Sequence, residues 1–291
     1  RWIYKMVNIR SFLKYSGVLN DNDIAAIREE FKHKIEEELA IGFNARPMTV
    51  DTETEEEDVF QSTVHRQQTT VRVLDNSTPL SNIGHPTSGL RMIDAISQGL
   101  RQSMQHHSSL ILMGQDIAEY GGAFKISEGF VDEFGKERVR NTPICESAIV
   151  GAALGLSLEG YKSMVEMQFA DFVTCGFNQI VNNLAKIHYR WGQNADVVIR
   201  MPAGGGVGAG PFHSQSNEAW FTKVPGLKVV YPSTPVDAKG LLIAAINDPN
   251  PVLYFEHKAL YRSVSGEVPD DYYEIEIGKA KHVREGDEVS I

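Results

Sequence analysis

Short apolar runs alternate with stretches of helical pattern between residues 87 and 257, and this alternation limits the fold more than any other feature of the chain. Residues 110–114 are a continuous apolar run closed by a glycine, which is typical of a buried strand. Further strand-like runs cover residues 138–141, 162–167, 197–200, 227–231 and 252–255. Helical patterns cover residues 87–105, 148–158, 173–191, 216–223 and 235–247. This order predicts an α/β fold in which helices cover both faces of a mostly parallel sheet.

The composition excludes several classes of protein. Of the 291 residues, 42% are apolar, which is enough for one large domain with a core, plus smaller pieces. A net charge of −10 argues against a nucleic-acid partner, because phosphate binding needs a basic surface. No apolar run reaches the roughly 18–20 residues of a membrane helix. The two cysteines, Cys145 and Cys175, lie in apolar segments, and we interpret them as reduced core thiols of a cytoplasmic protein.

The N-terminal part of the chain has a different pattern. Residues 20–23 are rich in helix N-cap candidates. A stripe of apolar residues follows at helical spacing, formed by Ile24, Ile27, Phe31, Ile35 and Leu39. The stripe predicts an amphipathic helix that packs on another element, with Glu30 and Lys34 paired on its exposed side. A shorter helix is expected over residues 3–19, ending near Gly17.

Residues 43–85 are predicted to link this helical tail, residues 1–42, to an α/β domain over residues 86–277. An acidic run between Asp51 and Asp58 precedes polar sequence with few large apolar residues. Like charges repel and little apolar surface can be buried, so we expect an extended or disordered segment. A functional acidic tail is the alternative.

Polar residues follow several of the predicted strands, at the edge where ligands of open α/β sheets bind. Glu146 comes soon after Pro143, which ends a strand because it has no N–H to donate. A carboxylate in the first turn of a helix is also stabilised there without any catalytic role. His213 follows a glycine-rich loop, and a solvated loop residue is the alternative for it. The loop lacks the Gly-Lys-Ser/Thr ending of a phosphate-binding loop.

Gly151 and Gly155 lie four residues apart in an apolar helix. The span is too short for a membrane helix, so this spacing predicts close backbone packing inside a soluble core.

Three motifs together resemble one family. They are Asn-Thr-Pro-Ile-Cys-Glu-Ser at residues 141–147, Glu-Met-Gln-Phe-Ala-Asp-Phe at 166–172 and Phe-His-Ser-Gln-Ser at 212–216. In this order they resemble the β chain of thiamine-diphosphate-dependent 2-oxo acid dehydrogenases, over about residues 83–291. The run at 168–171 and Lys-Ala-Leu-Tyr-Arg at 258–262 look closer to the branched-chain (2-oxoisovalerate) enzyme than to the pyruvate enzyme. The fold implied is a transketolase-like pyrimidine-binding domain.

The resemblance extends beyond that domain. Residues 1–42 resemble the C-terminal end of the family's α chain, which implies a fragment of an α–β fusion. Residues 278–291 resemble entry into the β chain's C-terminal domain.

The resemblance also implies roles for individual residues. Glu146 would bond to a pyrimidine nitrogen of thiamine diphosphate and favour the tautomer that accepts the proton of the thiazolium carbon. Phe172 would stack on the pyrimidine, and Gln168 would line the pocket. His213 would act as acid or base in acyl transfer to an incoming lipoyl group. Because branched-chain enzymes have tyrosine where Phe172 stands, this position weakens the substrate assignment. An ordinary core phenylalanine and a satisfied buried amide are the alternatives for Phe172 and Gln168.

A structural potassium ion is a further implication of the resemblance. Its ligands would be Asp248 and Asn250, with main-chain oxygens near Val197, Ala245 and Ile246. Carbonyl-rich coordination suits a hard monovalent cation, but Asn-Asp-Pro-Asn-Pro is also a plain turn after a helix.

The family's Gly-Asp-Gly…Asn motif, which binds the cofactor's diphosphate and Mg²⁺ on the α chain, does not occur in this sequence. We therefore expect a half-site that does not catalyse alone. The implied partners are an α-type diphosphate-binding domain in a homodimer or α2β2-like assembly, and the lipoyl domain and core of an acyltransferase. Alternatives are a pyruvate or acetoin dehydrogenase component and a non-catalytic subunit-interaction module.

Overall fold

The computed structural model describes residues 13–46, 72–74 and 86–288. The chain divides into two compact units, Arg1–Asp51 and Thr52–Ile291. No helix among the described residues is both long enough and apolar enough to cross a membrane.

The first unit contains helix α1, Asp21–Asn44. The Asn20 side chain accepts hydrogen bonds from the backbone N–H groups of Asn22 and Asp23, and Asp23 accepts one in return from the Asn20 N–H. This capping box confirms the predicted N-terminus, and Lys34 pairs with Glu30 at 2.8 Å as predicted. Residues 13–15 are helical before a turn at Gly17, and the rest of the earlier predicted helix lies outside the described residues.

The apolar stripe of α1 is not buried within this unit. Ile24 is its one buried residue among those described, whereas Phe31 is 60% exposed. Ile27, Ile35 and Leu39 are exposed as well. The prediction that the stripe packs on another element is therefore not met within the described part of the unit.

The second unit is built on a six-stranded parallel sheet with the order β4-β3-β5-β6-β8-β7. Its strands are β3 (Leu110–Gly114), β4 (Val139–Asn141), β5 (Lys162–Glu166), β6 (Val197–Ala203), β7 (Lys228–Val230) and β8 (Val252–His257). The central strands are buried on both faces, which explains why their sequences are mostly apolar. The predicted α/β fold with a mostly parallel sheet is confirmed.

Helices cover both faces of this sheet. One face packs against α2 (Met92–His106) and α6 (Pro235–Asn247). The other packs against α4 (Glu146–Leu158), α5 (Ala185–Trp191) and the π-helical turn Gln179–Leu184 that precedes α5. The short helices α3 (Phe130–Phe134) and α7 (Leu260–Ser263) complete the set.

Among the described residues, four strands lie outside the main sheet. They are β1 (Arg72–Leu74), β2 (Pro86–Arg91), β9 (Ser265–Pro269) and β10 (Tyr273–Ile275). β2 pairs antiparallel with β9, so the predicted helix over 87–105 was wrong in its first turn and α2 begins at Met92. β1 pairs parallel with β10, so the predicted linker contains a strand. The remainder of residues 47–85 lies outside the described residues.

Two other predicted helices differ in the structure. Residues 173–191 are divided into a 3₁₀ turn (Ala170–Gly176), the π-helical turn and α5. Residues 216–223 contain a single 3₁₀ turn, Glu218–Trp220. Asn217 explains the second difference, because its buried side chain donates to the Ala170 carbonyl and ties the segment to the loop after β5.

Two packing predictions were also wrong. Cys145 and Cys175 are exposed free thiols in the described unit, because they lie at the N-cap of α4 and on the outer side of the 3₁₀ turn. A Cβ added to Gly155 would meet no described atom within 4 Å. Gly151 is half-buried, and the nearest atom to a Cβ there would be a side-chain carbon of Gln179 at 4.0 Å, so neither glycine makes a close backbone contact. The inward face of α4 is formed by residues such as Ile149 and Val150.

Replacing Gly226 by alanine is expected to destabilise the domain. Its φ of +88° is left-handed, and a Cβ there would lie 1.9 Å from the carbonyl oxygen of Ala185, the first residue of α5. Gly160 is a matched control, since its φ is +83° but a Cβ at that position would meet no described atom within 4 Å. We expect Gly160→Ala to cost about 1–2 kcal/mol and Gly226→Ala at least about 2 kcal/mol more. Equal urea midpoints of the two variants would contradict the close approach at Gly226.

Candidate functional site

The candidate residues come from loops that follow neighbouring strands, at the carboxyl edge of the sheet. Gln115 and Asp116 follow β3, Glu146 follows β4, Gln168 follows β5, and His213 lies in the loop after β6. Because β4, β3, β5 and β6 are adjacent in that order, these loops meet at one edge. This is the position where parallel sheets bind ligands.

Glu146 is the first residue of α4 and is only 7% exposed. β4 ends at Asn141, two residues before Pro143, and the chain then turns into the helix. The Glu146 Oε1 atom accepts a hydrogen bond of 3.1 Å from the Gln115 amide Nε2. The carboxyl group is therefore both shielded from water and held in one orientation, beside the positive end of a helix.

Gln168 approaches the loop after β3 as well. Its Nε2 lies 3.5 Å from Oδ2 of Asp116, whose φ of +55° is left-handed. Consecutive residues of this loop thus contact Glu146 and Gln168. Sequence analysis missed both Gln115 and Asp116. The available signal was a Gln-Asp pair directly after the closing glycine of a predicted strand.

Phe172 and His213 meet through their rings. The imidazole of His213 lies edge-on to Phe172, with centroids 5.5 Å apart, and edge-on to Phe169 at 4.7 Å. Its Nδ1 atom is buried and has no hydrogen-bond partner among the described residues. The 3₁₀ turn that carries Phe172 packs on the start of α4, since a Cβ at Gly176 would lie 3.4 Å from the Glu146 carbonyl oxygen. These contacts link the four predicted site residues, Glu146, Gln168, Phe172 and His213, partly through intervening residues.

Lys258 lies next to the aromatic cluster formed by Phe169, Phe172 and His213. Its Nζ is 5.3 Å from the centre of the Phe169 ring and 3.5 Å from the Pro202 carbonyl oxygen. Burial lowers the pKa of the Lys258 ammonium, and the nearby Asp171 partly opposes this effect. No role was predicted for this lysine from the sequence, where it appears only within a motif.

The predicted side-chain ligands of potassium, Asp248 and Asn250, lie at the C-terminal end of α6. Both carboxylate oxygens of Asp248 have protein donors: Oδ2 is 2.6 Å from Lys228 Nζ, and Oδ1 accepts from the backbone and side chain of Asn250. This carboxylate is therefore already neutralised by Lys228. The residues predicted to offer main-chain oxygens lie on two elements. Ala245 and Ile246 lie in the last turn of α6, where the Ala245 carbonyl accepts a hydrogen bond from the Asp248 N–H. Val197 is the first residue of β6. Potassium stays a prediction, and no group of three or more His, Cys, Asp or Glu side chains suited to a metal occurs among the described residues.

A buried charge cluster next to the site was not predicted. Arg200 in β6 lies between Glu166 of β5 and Glu256 of β8, with N–O distances of 2.6–2.7 Å, and the three side chains are at most 3% exposed. The Tyr261 hydroxyl also donates to Glu256. Burial raises the pKa of Glu166, because Arg200 offsets only part of the lost hydration and Glu256 repels the charge. The two carboxylates raise the pKa of Arg200 despite its burial.

Comparison with known proteins gives one family model for this domain. The model described as "Transketolase, pyrimidine binding domain" matches residues 88–264. The chain is 48% identical over 206 residues to the 2-oxoisovalerate dehydrogenase subunit beta of Bacillus subtilis (strain 168), with 70% of this chain covered. It is 44% identical over 204 residues to the pyruvate dehydrogenase E1 component subunit beta of Acholeplasma laidlawii, with 69% covered. The aligned part spans 63% and 62% of those relatives' own lengths.

A solved structure supports the fold alone. The chain superposes on a "Split gene transketolase, inactive beta4 tetramer" with a TM-score of 0.53 and 24% sequence identity. The match covers 68% of this chain and 60% of that one.

Proposed function

The chain belongs to the transketolase pyrimidine-binding domain family, and on that premise we propose that it supplies the pyrimidine half of a thiamine-diphosphate site in a 2-oxo acid dehydrogenase. The observation that carries this proposal is the buried carboxyl group of Glu146, held by Gln115 at the sheet edge that also brings Phe172 and His213 together. When bound, thiamine diphosphate would supply a nucleophilic thiazolium carbon that can add to the 2-oxo group, and a cationic ring that can accept the electron pair released by decarboxylation.

The described residues fit the pyrimidine end of this cofactor. Glu146 has one oxygen engaged by Gln115, and its carboxyl group can share a proton with a ring nitrogen. Phe172 is half-buried and can offer a ring face to a flat heterocycle. Gln168 can donate or accept at the rim of the same site. His213, whose Nδ1 has no described partner, can hold or release a proton for an incoming acyl acceptor.

The proposal makes the chain dependent on partners. An α-type domain would hold the diphosphate and Mg²⁺, for which the sequence has no Gly-Asp-Gly…Asn motif. The assembly would be a homodimer or α2β2-like, and the acyl group would pass to a lipoyl domain of an acyltransferase core. The exposed outer face of α4, which includes Ala148, Ala152 and Gly155, is suited to such a subunit contact. A cytoplasmic location stays a prediction.

Calorimetric titration tests the half-site directly. We expect this chain to bind thiamine diphosphate plus Mg²⁺ with a Kd above about 1 mM, because a pyrimidine site alone offers few contacts for a charged cofactor. Titration of the assembled enzyme should instead give a heat signal that saturates. Tight binding by this chain alone would contradict the half-site, since it would require a diphosphate site within residues 1–291.

The preferred substrate is proposed to be a branched-chain 2-oxo acid. The 48% identity to a 2-oxoisovalerate subunit is only slightly higher than the 44–45% to pyruvate subunits, so pyruvate is the second candidate. We expect the kcat/KM of the assembled enzyme for 2-oxoisovalerate to exceed that for pyruvate by at least about tenfold, the effect of a few buried methylene groups. A higher kcat/KM for pyruvate would overturn the branched-chain assignment.

A further inference from the structure

The segment Phe169 to Phe172 contacts the loop that carries His213, through ring contacts and through hydrogen bonds. The two phenylalanine rings contact the imidazole edge-on, at 4.7 and 5.5 Å. Between them in sequence, Ala170 and Asp171 bind residues that follow His213. The four consecutive residues thus contact both the histidine ring and the backbone next to it.

Asp171 makes the most specific of these contacts. Its Oδ1 accepts two hydrogen bonds from Gln215, one from the backbone N–H at 3.2 Å and one from the side-chain Nε2 at 3.0 Å. Gln215 is two residues after His213, and its carbonyl oxygen in turn accepts from the Gly204 N–H at 2.9 Å, which ties the loop to the end of β6. The Asp171 side chain is 6% exposed, so these bonds form away from water, where charged hydrogen bonds are strongest.

A buried carboxylate is costly unless something balances it. Lys258 supplies a positive charge near Asp171, although the two form no ion pair within 4 Å. Among the described residues, Lys258 has no carboxylate partner at that distance, and Oδ2 of Asp171 has no hydrogen-bond partner. The hydrogen bonds that compensate the burial of the Asp171 side chain are therefore those from Gln215, in the loop after β6.

We infer that Asp171 is a positioning residue: through Gln215 it fixes the loop after β6 so that the His213 imidazole faces the reacting centre. The inference rests on the proposed function, because it gives His213 a reaction to serve. It adds a residue that does not touch the substrate but acts through His213.

Amide hydrogen exchange on this chain tests the structural half. Asp171→Ala should speed exchange of the Gln215 and Gly204 amides by about 10–100-fold, the range for a charged hydrogen bond, and Asp171→Asn should give a smaller increase. Asp132→Asn is a matched control, because Asp132 is an exposed carboxylate on α3. Unchanged exchange at Gln215 in Asp171→Ala would overturn the inference.

A double-mutant cycle in the assembled enzyme tests the functional half. Asp171→Ala should lower kcat for acyl transfer to a lipoyl acceptor by about 10–100-fold with little change in KM for the 2-oxo acid. In a His213→Ala background the same substitution should cause no further loss, because Asp171 acts through the histidine. Equal losses in both backgrounds would overturn the inference. Full activity of His213→Ala would instead refute the proposed role of His213, and the exchange experiment would then decide the loop contact on its own.

Discussion

Glu146→Gln is expected to lower thiamine-diphosphate-dependent decarboxylation by the assembled enzyme by about 10²–10⁴-fold, the usual contribution of a positioned acid or base. The substitution keeps the size and shape of the side chain. Its carbonyl oxygen can still accept the hydrogen bond from Gln115, so the buried site remains filled and satisfied. What is lost is the ability to share a proton with a ring nitrogen. The loss should therefore appear in kcat, with the cooperative unfolding transition unchanged.

Glu159→Gln is the matched control for this prediction. Glu159 lies at the other end of the same helix and is exposed, so neutralising it should leave turnover within about twofold and stability within about 0.5 kcal/mol. Normal turnover by Glu146→Gln would remove Glu146 from the mechanism and would favour the alternative of a non-catalytic subunit-interaction module. A fall in both turnover and unfolding midpoint would indicate a structural role instead.

The sequence allowed the fold to be predicted because the central strands are short, mostly apolar runs, and helical patterns separate most of these runs. Glu146 and His213 became candidates through the resemblance of their motifs to the dehydrogenase β chain, since their positions after strands alone are also consistent with a helix-terminus acid and a solvated loop histidine. Gln115 and Asp171 could not be predicted in the same way. Their partners lie 31 and 44 residues away, and only the strand order β4-β3-β5-β6 brings those loops together. Periodicity within a segment does not determine that order.

Burial of charge was harder still to predict. Glu166, Arg200 and Glu256 lie at or near the ends of strand-like runs, where charged residues normally mark the exposed end of an element. In the structure, Arg200 forms ion pairs with both glutamates across three adjacent strands, and these pairs compensate the burial of the charges. The exposed thiols Cys145 and Cys175 show the opposite error, because an apolar segment does not determine which of its residues face outward.

Arg200→Met should lower the free energy of unfolding by about 3–5 kcal/mol, the usual cost of removing one partner from a buried ion pair. Without the guanidinium, the carboxyl groups of Glu166 and Glu256 remain buried and lose three hydrogen bonds. Arg140→Met is the control, since Arg140 pairs with Glu137 at 3.0 Å on the surface and should cost less than about 1 kcal/mol. Urea unfolding of both variants gives the comparison, and equal losses would contradict a special contribution from the buried cluster.

Glu166 should also make stability depend on pH, in a direction that its burial determines. Burial raises the pKa of Glu166 in the folded protein, so protonation of this carboxyl group is easier in the folded state than in the unfolded chain. Its contribution to stability is therefore fully present below the ordinary glutamate pKa of about 4.3, and is lost as the pH rises through the higher folded value. Glu166→Gln keeps an oxygen that can accept from Arg200 but cannot ionise. The difference in unfolding free energy between this variant and the natural sequence should shift in the variant's favour between pH 4 and pH 8. A difference that is constant with pH would mean that the pKa of Glu166 is not raised in the folded protein, with Arg200 offsetting its burial in full.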